Sequence, residues 1–135
     1  MKIEIQDLTK SQLNWAVGAC EGHPKAVDTS GLDGPIVVCG FKQKMLHSNR
    51  EGQEWVAYQP STDWAQGGPV IERERITLDY DFDGQGLSLW TARKYAFDGT
   101  LLWAEFGDTP LIAAMRCFVK SRLGDEIEIP EELMK

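Results

Sequence analysis

The residues best suited to recognising a small molecule lie in one stretch, PSTDWAQGGPVIERER, at positions 60–75. Trp64 offers a flat apolar surface for stacking, and Asp63 beside it offers a fixed hydrogen-bond acceptor. Gly67 and Gly68 permit positive φ angles and let a ligand approach the backbone closely. These groups suit recognition rather than catalysis, since no histidine or cysteine lies nearby. The alternative is a turn stabilised by its own Asp, Ser or Thr side chains, with Trp64 packed into the core.

Two arginines could complete a site for an anion. Arg73 belongs to the alternating run 72–75, which could provide acid–base chemistry or an anion clamp, or could be a charged exposed face. Arg116 interrupts an apolar helix, and it either points outward or needs a carboxylate or bound anion, because an unpaired buried guanidinium is costly. We predict that residues 61–68 form an ordered loop at the mouth of a pocket bordered by the last helix. The candidate ligand-binding residues are Ser61, Thr62, Asp63, Trp64, Gln66, Gly67, Gly68, Arg73 and Arg116.

A second motif imitates a calcium site. The sequence DYDFDG at 79–84 has the alternating acids and the glycine that open an EF-hand loop. That loop also needs a bidentate glutamate at its twelfth position, where this chain has Trp90. In a strand, Asp79, Asp81 and Asp83 would instead share one solvated face. The sequence therefore predicts no calcium site here, and no residue is assigned to a metal.

Nucleophilic catalysis by a thiol is not expected. Cys20, Cys39 and Cys117 are an odd number of cysteines at wide spacings, which is typical of reduced thiols in a core. His23 lies close to Cys20 in sequence, but it falls in a loop after a helix, and no third orienting group is evident. We assign no catalytic residue and no cofactor.

The elements that must position these residues belong to the α+β class. We predict an antiparallel sheet of about five to seven strands with two main helices packed on one face. The first helix begins after Thr9, with Gln12 completing a capping box, and it ends near Gly22. The last helix begins at Pro110 after the cap Thr109 and runs to residue 123.

Alternation and turn residues locate the remaining elements. Strands are predicted at 2–5, 36–39, 55–58, 76–82, 87–93, 101–106 and 126–129, with turns at 83–86 and 98–99. Three segments are predicted to lie outside regular structure: a loop at 22–35, a polar exposed segment at 42–52, and an acidic frayed tail at 130–135.

Composition limits the classes of partner. The 135 residues carry a net charge of −7 and fit a single domain. Residues 1–50 hold six bases and five acids, whereas residues 51–135 hold eight bases and sixteen acids. Because no basic cluster exists, direct binding of nucleic acid is not expected. The longest uncharged run, 11–20, is too short to span a membrane, and acids near the start argue against a signal peptide.

Four blocks of the sequence resemble the NinX family of bacteriophage and prophage proteins. In chain order they are LNWAV with CEG at 13–22, PSTDWAQGGPVIERE at 60–74, DTPLIAAMRC at 108–117, and GDE with PEEL at 124–133. Residues 24–54 and 77–107 fall outside these blocks. The resemblance implies phage origin and expression in the host bacterial cytoplasm, and it implies no activity, cofactor or catalytic residue.

Three functions fit the sequence. The first is a non-catalytic binding protein that sequesters a small polar or anionic, nucleotide-like ligand or disables a host factor. The second is an acidic protein–protein adaptor in phage replication or recombination. The third, weaker hypothesis is a small hydrolase that uses Asp63 or Glu72 as its base. The sequence also allows a homodimer.

Overall fold

The computed structural model describes residues 1–44, 51–82, 84–86 and 88–134, with the backbone alone at 42–44 and 51–53. These residues form eight strands, three α-helices and two short 3-10 helices. The strands are β1 (Lys2–Glu4), β2 (Lys25–Asp28), β3 (Ile36–Lys44), β4 (Glu51–Ala57), β5 (Thr77–Phe82), β6 (Ser88–Tyr95), β7 (Leu101–Gly107) and β8 (Glu126–Glu128). The α-helices are α1 (Lys10–Glu21), α2 (Trp64–Glu74) and α3 (Pro110–Leu123), and the 3-10 helices are Ile5–Asp7 and Glu131–Leu133.

The predicted α+β class is confirmed, and all strand pairs are antiparallel. The strands divide among three sheets instead of joining one: β1 with β8, β2–β3–β4, and β5–β6–β7. The division between the second and third sheets coincides with α2, which fills the connection from β4 to β5. A helix of this length carries the chain away from the edge of one sheet before the next strand begins.

The first and last helices begin and end as their capping residues predict. The Thr9 side chain accepts from the Gln12 amide, and the Gln12 side chain accepts from the Thr9 amide at 3.0 Å. Gly22 ends α1 with a φ of 72°, a left-handed conformation that favours glycine. At the start of α3, Thr109 accepts from the backbone amide of Ile112 at 3.1 Å.

The core surrounds α3. This helix packs against α1, α2, β6 and β7. Its apolar burial therefore extends around much of its circumference, and its buried residues are Leu111, Ile112, Ala113, Ala114, Met115, Cys117, Phe118 and Val119. A helix that touches neighbours on several sides needs apolar residues on all of those sides.

The prediction of a loop at 61–68 is wrong, because α2 begins at Trp64. Asp63 caps the helix by accepting from the Ala65 amide at 2.9 Å. Residues usually found at helix ends, Gly67, Gly68 and Pro69, lie inside this helix. Propensity alone disfavours a helix with that interior, and tertiary packing overrides it.

Close packing around Gly67 leaves no room for a side chain at this position. A Cβ atom built on it would lie 2.7 Å from Cδ2 of Leu111 and closer still to the carbonyl oxygen of Pro60. The glycine therefore lets α2 approach both its own preceding turn and α3. At Gly68, by contrast, a Cβ would meet nothing within 4 Å.

Three further segments that were predicted to be irregular contain structure. The loop at 22–35 includes β2, which pairs with β3. In the tail predicted at 130–135, Glu131–Leu133 forms a 3-10 helix. Its Leu133 is buried, and the Leu133 carbonyl accepts from the Gln12 side chain at 3.0 Å, whereas Lys135 lies outside the described residues. The polar segment 42–52 extends β3 and β4 at its two ends, and its residues 45–50 lie outside the described residues. Asp83 and Leu87, at the ends of the predicted turn after β5, also lie outside them.

Candidate functional site where three helices begin

A pocket of about 170 Å³ lies where the three α-helices begin. We call it the helix-start pocket, and its lining residues are Lys10, Ser61, Thr62, Trp64, Thr109, Pro110, Leu111 and Ile112. Lys10, Trp64 and Pro110 are the first residues of α1, α2 and α3. Three of the predicted site residues, Ser61, Thr62 and Trp64, therefore do come together at a pocket.

The opposite ends of the three helices also meet. Glu21, the last residue of α1, accepts from Arg73 in the last turn of α2. Glu74, the last residue of α2, accepts from Arg122 in the last turn of α3 at 2.8 Å. Since their beginnings meet at one place and their ends at another, the three helices run in the same direction.

This shared direction gives the pocket a positive electrostatic character. Each helix beginning carries roughly half a positive elementary charge, and three of them converge here. Lys10 adds a full positive charge to the lining. Asp63 and Asp108 do not line the pocket, but the Asp63 carboxylate caps α2 and offsets the positive terminus of that helix, so α1, α3 and Lys10 supply most of the positive character. At the other end, Arg73 and Arg122 offset the negative helix termini.

Trp64 is available to a ligand. Its residue surface is 55% exposed, so the alternative that packs Trp64 into the core is wrong. The other part of that alternative, a turn stabilised by its own side chains, is correct for Asp63, because the Asp63 carboxylate accepts a hydrogen bond from the amide of Ala65. Asp63 therefore acts as a helix cap in this structure.

The turn before α2 is held against α1 and β4 by polar side chains. The amide of Ser61 donates to Oδ1 of Asn14 at 3.0 Å, and this buried contact fixes the turn on α1. Gln66 links the start of α2 to the end of β4: its Nε2 donates to the carbonyl of Ala57 at 2.9 Å, and its Oε1 accepts from the Gln59 amide at 2.6 Å. Gln66 thus positions the turn rather than facing the pocket.

Arg73 lies at the far end of α2, away from the helix-start pocket. It belongs to a group of charges that we call the Glu74 cluster, consisting of Glu21, Arg73, Glu74, Lys94 and Arg122. Glu74 is buried, and it accepts from Lys94 and Arg122 at 2.8 Å and from Arg73 at 3.0 Å. The reading of 72–75 as a uniformly exposed charged face therefore fails at Glu74, while Glu72 and Arg75 are exposed.

The Glu74 cluster determines the ionisation of its central carboxylate. Burial by itself raises the pKa of Glu74. The hydrogen bonds from Lys94, Arg122 and Arg73 together have a larger and opposite effect, and they bring the pKa down to about 2. The carboxylates of Glu21 and Glu74 raise the pKa of Arg73. A permanently charged, fully paired carboxylate is suited to joining helices and does not act as a general base near neutral pH.

Arg116 is also directed away from the pocket. Its Nη1 donates to the carbonyl of Phe106 on β7 at 2.8 Å. Its Nε is buried and finds no hydrogen-bond partner among the described residues. The guanidinium therefore joins α3 to β7, and the predicted contact of Arg116 with the ligand-binding stretch is not seen.

The three cysteine thiols are buried or partly buried in the fold. Burial raises the pKa of Cys20 to about 12 and the pKa values of Cys39 and Cys117 to about 11. None of the three thiols therefore ionises readily near neutral pH. Cys39 and Cys117 are buried, whereas Cys20 is only partly so.

Asp79 and Asp81 lie on β5 and face Arg93 of β6. Nη1 of Arg93 is 2.6 Å from Asp79, and Nη2 is 3.5 Å from Asp81. Asp81 also accepts from the hydroxyl of Thr91. Asp83, the third acid of the motif, lies outside the described residues.

Sequence reasoning missed Lys10 and the start of α3 as parts of the pocket. The capping residues Thr9 and Thr109 were signals for where these helices begin. No local pattern shows that helix beginnings so far apart in the chain meet in space.

Among the described residues, no helix combines the length and the apolar character needed to cross a membrane.

The family model described as "Bacteriophage P22, NinX" matches residues 4–122 of the chain. Comparison with curated proteins finds no match. The matched region contains the helix-start pocket, the Glu74 cluster, α1, α2 and all of α3 except its last residue. Because the match covers most of its length, this chain belongs to the bacteriophage P22 NinX family.

Proposed function

We propose that this protein is a non-catalytic binding protein that holds a small anionic, nucleotide-like ligand at the helix-start pocket. The observation that carries the proposal is the convergence of three helix beginnings with Lys10 around one pocket. In a protein with a net charge of −7, this is a local site that attracts negative charge. As a member of a phage family, the protein would act in the host cytoplasm.

The pocket suits a ligand with two chemical parts. Its volume of about 170 Å³ accommodates a compact anionic group such as a phosphate near Lys10 and the start of α3. A flat group attached to that anion can stack on the exposed face of Trp64. Thr62, which is exposed and lines the pocket, offers a hydroxyl between the two parts.

Calorimetric titration with a nucleoside monophosphate tests the proposal, with the nucleoside alone and inorganic phosphate as comparison ligands. We expect the monophosphate to bind more tightly than either part. Trp64→Ala should weaken binding about tenfold by loss of stacking, and Lys10→Gln should do so by loss of charge.

Matched controls separate these effects from general changes in the protein. Trp55→Ala removes a similarly exposed tryptophan on β4, and Lys2→Gln removes an exposed lysine on β1. Both controls should leave binding unchanged. Absence of binding by the monophosphate, or equal losses in the controls, would refute the proposal.

A second candidate function is an acidic adaptor between proteins. It is favoured by large apolar residues exposed on the sheet β5–β6–β7, which are Tyr80, Phe82, Tyr95, Leu101, Leu102 and Phe106, with Phe97 beside them. Apolar residues left exposed in such number are typical of contact surfaces. Affinity that survives Trp64→Ala but fails on substitution of these residues would favour the adaptor.

A further inference from the structure

β5 is an edge strand with a regular, extended backbone. It pairs with β6 over all six of its residues, from Thr77 opposite Arg93 to Phe82 opposite Ser88, without a register shift. Within the described part of the chain, its other edge has no strand partner. An edge of this kind presents unpaired N–H and C=O groups that can pair with another extended chain.

The opposite edge of the same sheet is less suited to strand addition. The pairing of β6 with β7 is irregular between Lys94 and Tyr95. In addition, Arg116 of α3 already donates to the Phe106 carbonyl of β7. Bulges and covering side chains are devices by which proteins protect sheet edges, and among the described residues β5 shows neither.

The two faces of β5 carry different chemistry. Tyr80 and Phe82 alternate on one face and are 56% and 65% exposed. The Tyr80 ring packs against Trp90 of β6 with centroids 5.2 Å apart, so this face is apolar. Asp79 and Asp81 lie on the other face and share the single cation of Arg93, which leaves one negative charge uncompensated there.

We infer that β5 accepts an extended basic segment of a partner protein as a fourth strand of this sheet. In such a pairing, side chains directly opposite each other lie on the same face. The incoming strand therefore needs basic residues opposite Asp79 and Asp81, and apolar residues opposite Tyr80 and Phe82. Main-chain hydrogen bonds supply the affinity, and this alternation supplies the specificity.

A second copy of this chain is a poorer occupant of the same edge. In an antiparallel pairing centred on Asp79, that residue lies opposite itself. In one centred on Tyr80, Asp79 lies opposite Asp81. Like charges directly opposite each other destabilise a strand pair, so the central registers of a homodimer are disfavoured.

This inference is independent of the ligand proposed for the helix-start pocket, since none of the residues lining that pocket belongs to β5. Either proposal can fail while the other holds. Trp64→Ala serves as the variant that separates them, because it should leave strand addition unchanged.

The test uses a labelled ten-residue peptide of alternating arginine and valine, with binding followed by fluorescence anisotropy on the whole protein. A peptide with five arginines followed by five valines controls for composition, and it should bind at least tenfold more weakly. In an extended peptide, the N–H groups of alternate residues point to the same edge of the strand. N-methylation of every residue whose N–H points to one edge should abolish binding, while N-methylation of the residues whose N–H groups point to the other edge should not. Equal effects from both edges, or no binding of the alternating peptide, would overturn the inference.

A charge exchange locates the site on β5. Asp79→Lys should weaken the arginine–valine peptide at least tenfold and improve binding of an alternating glutamate–valine peptide. Glu72→Lys makes the same change of net charge on the exposed side of α2 and should alter neither affinity substantially. Equal losses in both variants would show that only net charge matters. A stable dimer in sedimentation that excludes the peptide would assign the edge to a second copy instead.

Discussion

Glu74 connects more elements than any other side chain described above, and its ionisation is coupled to stability. Its pKa is about 2 in the folded protein and near 4.5 when it is unperturbed. A lowered pKa contributes stability that is fully present above pH 4.5 and is lost as the pH falls towards 2. The difference corresponds to about 3 kcal/mol in the free energy of unfolding.

We therefore expect Glu74→Gln to lower the free energy of unfolding at pH 7 by about 3 kcal/mol, because Arg73, Lys94 and Arg122 lose their shared carboxylate. The variant should also lose much of the stability change between pH 4.5 and 2. Urea denaturation across this pH range measures both effects. Glu72→Gln is the matched control, and a similar loss in that variant would contradict the assignment.

The two adjacent glycines of α2 should respond differently to alanine. Gly67→Ala places a Cβ against Pro60 and Leu111, so we expect it to destabilise the protein by about 2 kcal/mol. At Gly68 an added Cβ meets no atom beyond its chain neighbours, but the next residue is Pro69, and a residue with a Cβ is disfavoured in the helical conformation before a proline. This cost offsets the usual gain from replacing a helical glycine, so we expect Gly68→Ala to change the free energy of unfolding by less than about 0.5 kcal/mol. Thermal unfolding of the pair measures the difference. Equal effects of the two substitutions would contradict the packing described for α2.

At the scale of elements, local signals located some segments and not others. α1 and α3 could be predicted because Thr9, Thr109 and Pro110 mark their beginnings in sequence. α2 could not, since Gly67, Gly68 and Pro69 disfavour a helix locally and the contacts that stabilise it come from distant residues. Alternation and the flanking turn residues predicted β5 and β6, although neither strand has one buried face and one exposed face.

The extended conformation of β5 also determines whether its acidic side chains can bind a metal ion. Asp79 and Asp81 are held along an extended strand by Arg93, whereas an EF-hand loop must curl its acids around one point. We expect no calcium binding at micromolar concentrations, as measured by calorimetric titration. Micromolar binding that is abolished by Asp81→Ala would show this expectation to be wrong.

At the scale of the whole molecule, the cysteines report on opening of the core. Cys39 and Cys117 are fully buried, so we expect a disulfide-exchange reagent to label them only when the protein unfolds. Cys20 is partly exposed and should react first, but slowly, because burial raises its pKa to about 12. Mass spectrometry after timed labelling in increasing urea resolves the three rates. Rapid labelling of Cys39 or Cys117 without denaturant would contradict a closed core.

The candidate site could be predicted in part. The sequence places the site at residues 61–68; of these, Ser61, Thr62 and Trp64 line the helix-start pocket, whereas Gln66, Gly67 and Gly68 do not. Lys10 and the start of α3 could not be identified, because their proximity depends on the packing of three helices. The arginines proposed for the site, Arg73 and Arg116, instead join elements of the fold, a role that residue type alone does not reveal.

The common direction of the three helices has a consequence for the order of folding. Helices that run the same way cannot be joined by short turns. The connections between α1, α2 and α3 are long, and they contain the sheets β2–β3–β4 and β5–β6–β7. The hairpins β3–β4 and β5–β6–β7 close over shorter stretches of chain, so we expect them to form before the helices assemble. The helix-start pocket then exists only after the slowest step. A ligand bound there should slow unfolding without speeding refolding, which stopped-flow fluorescence can measure.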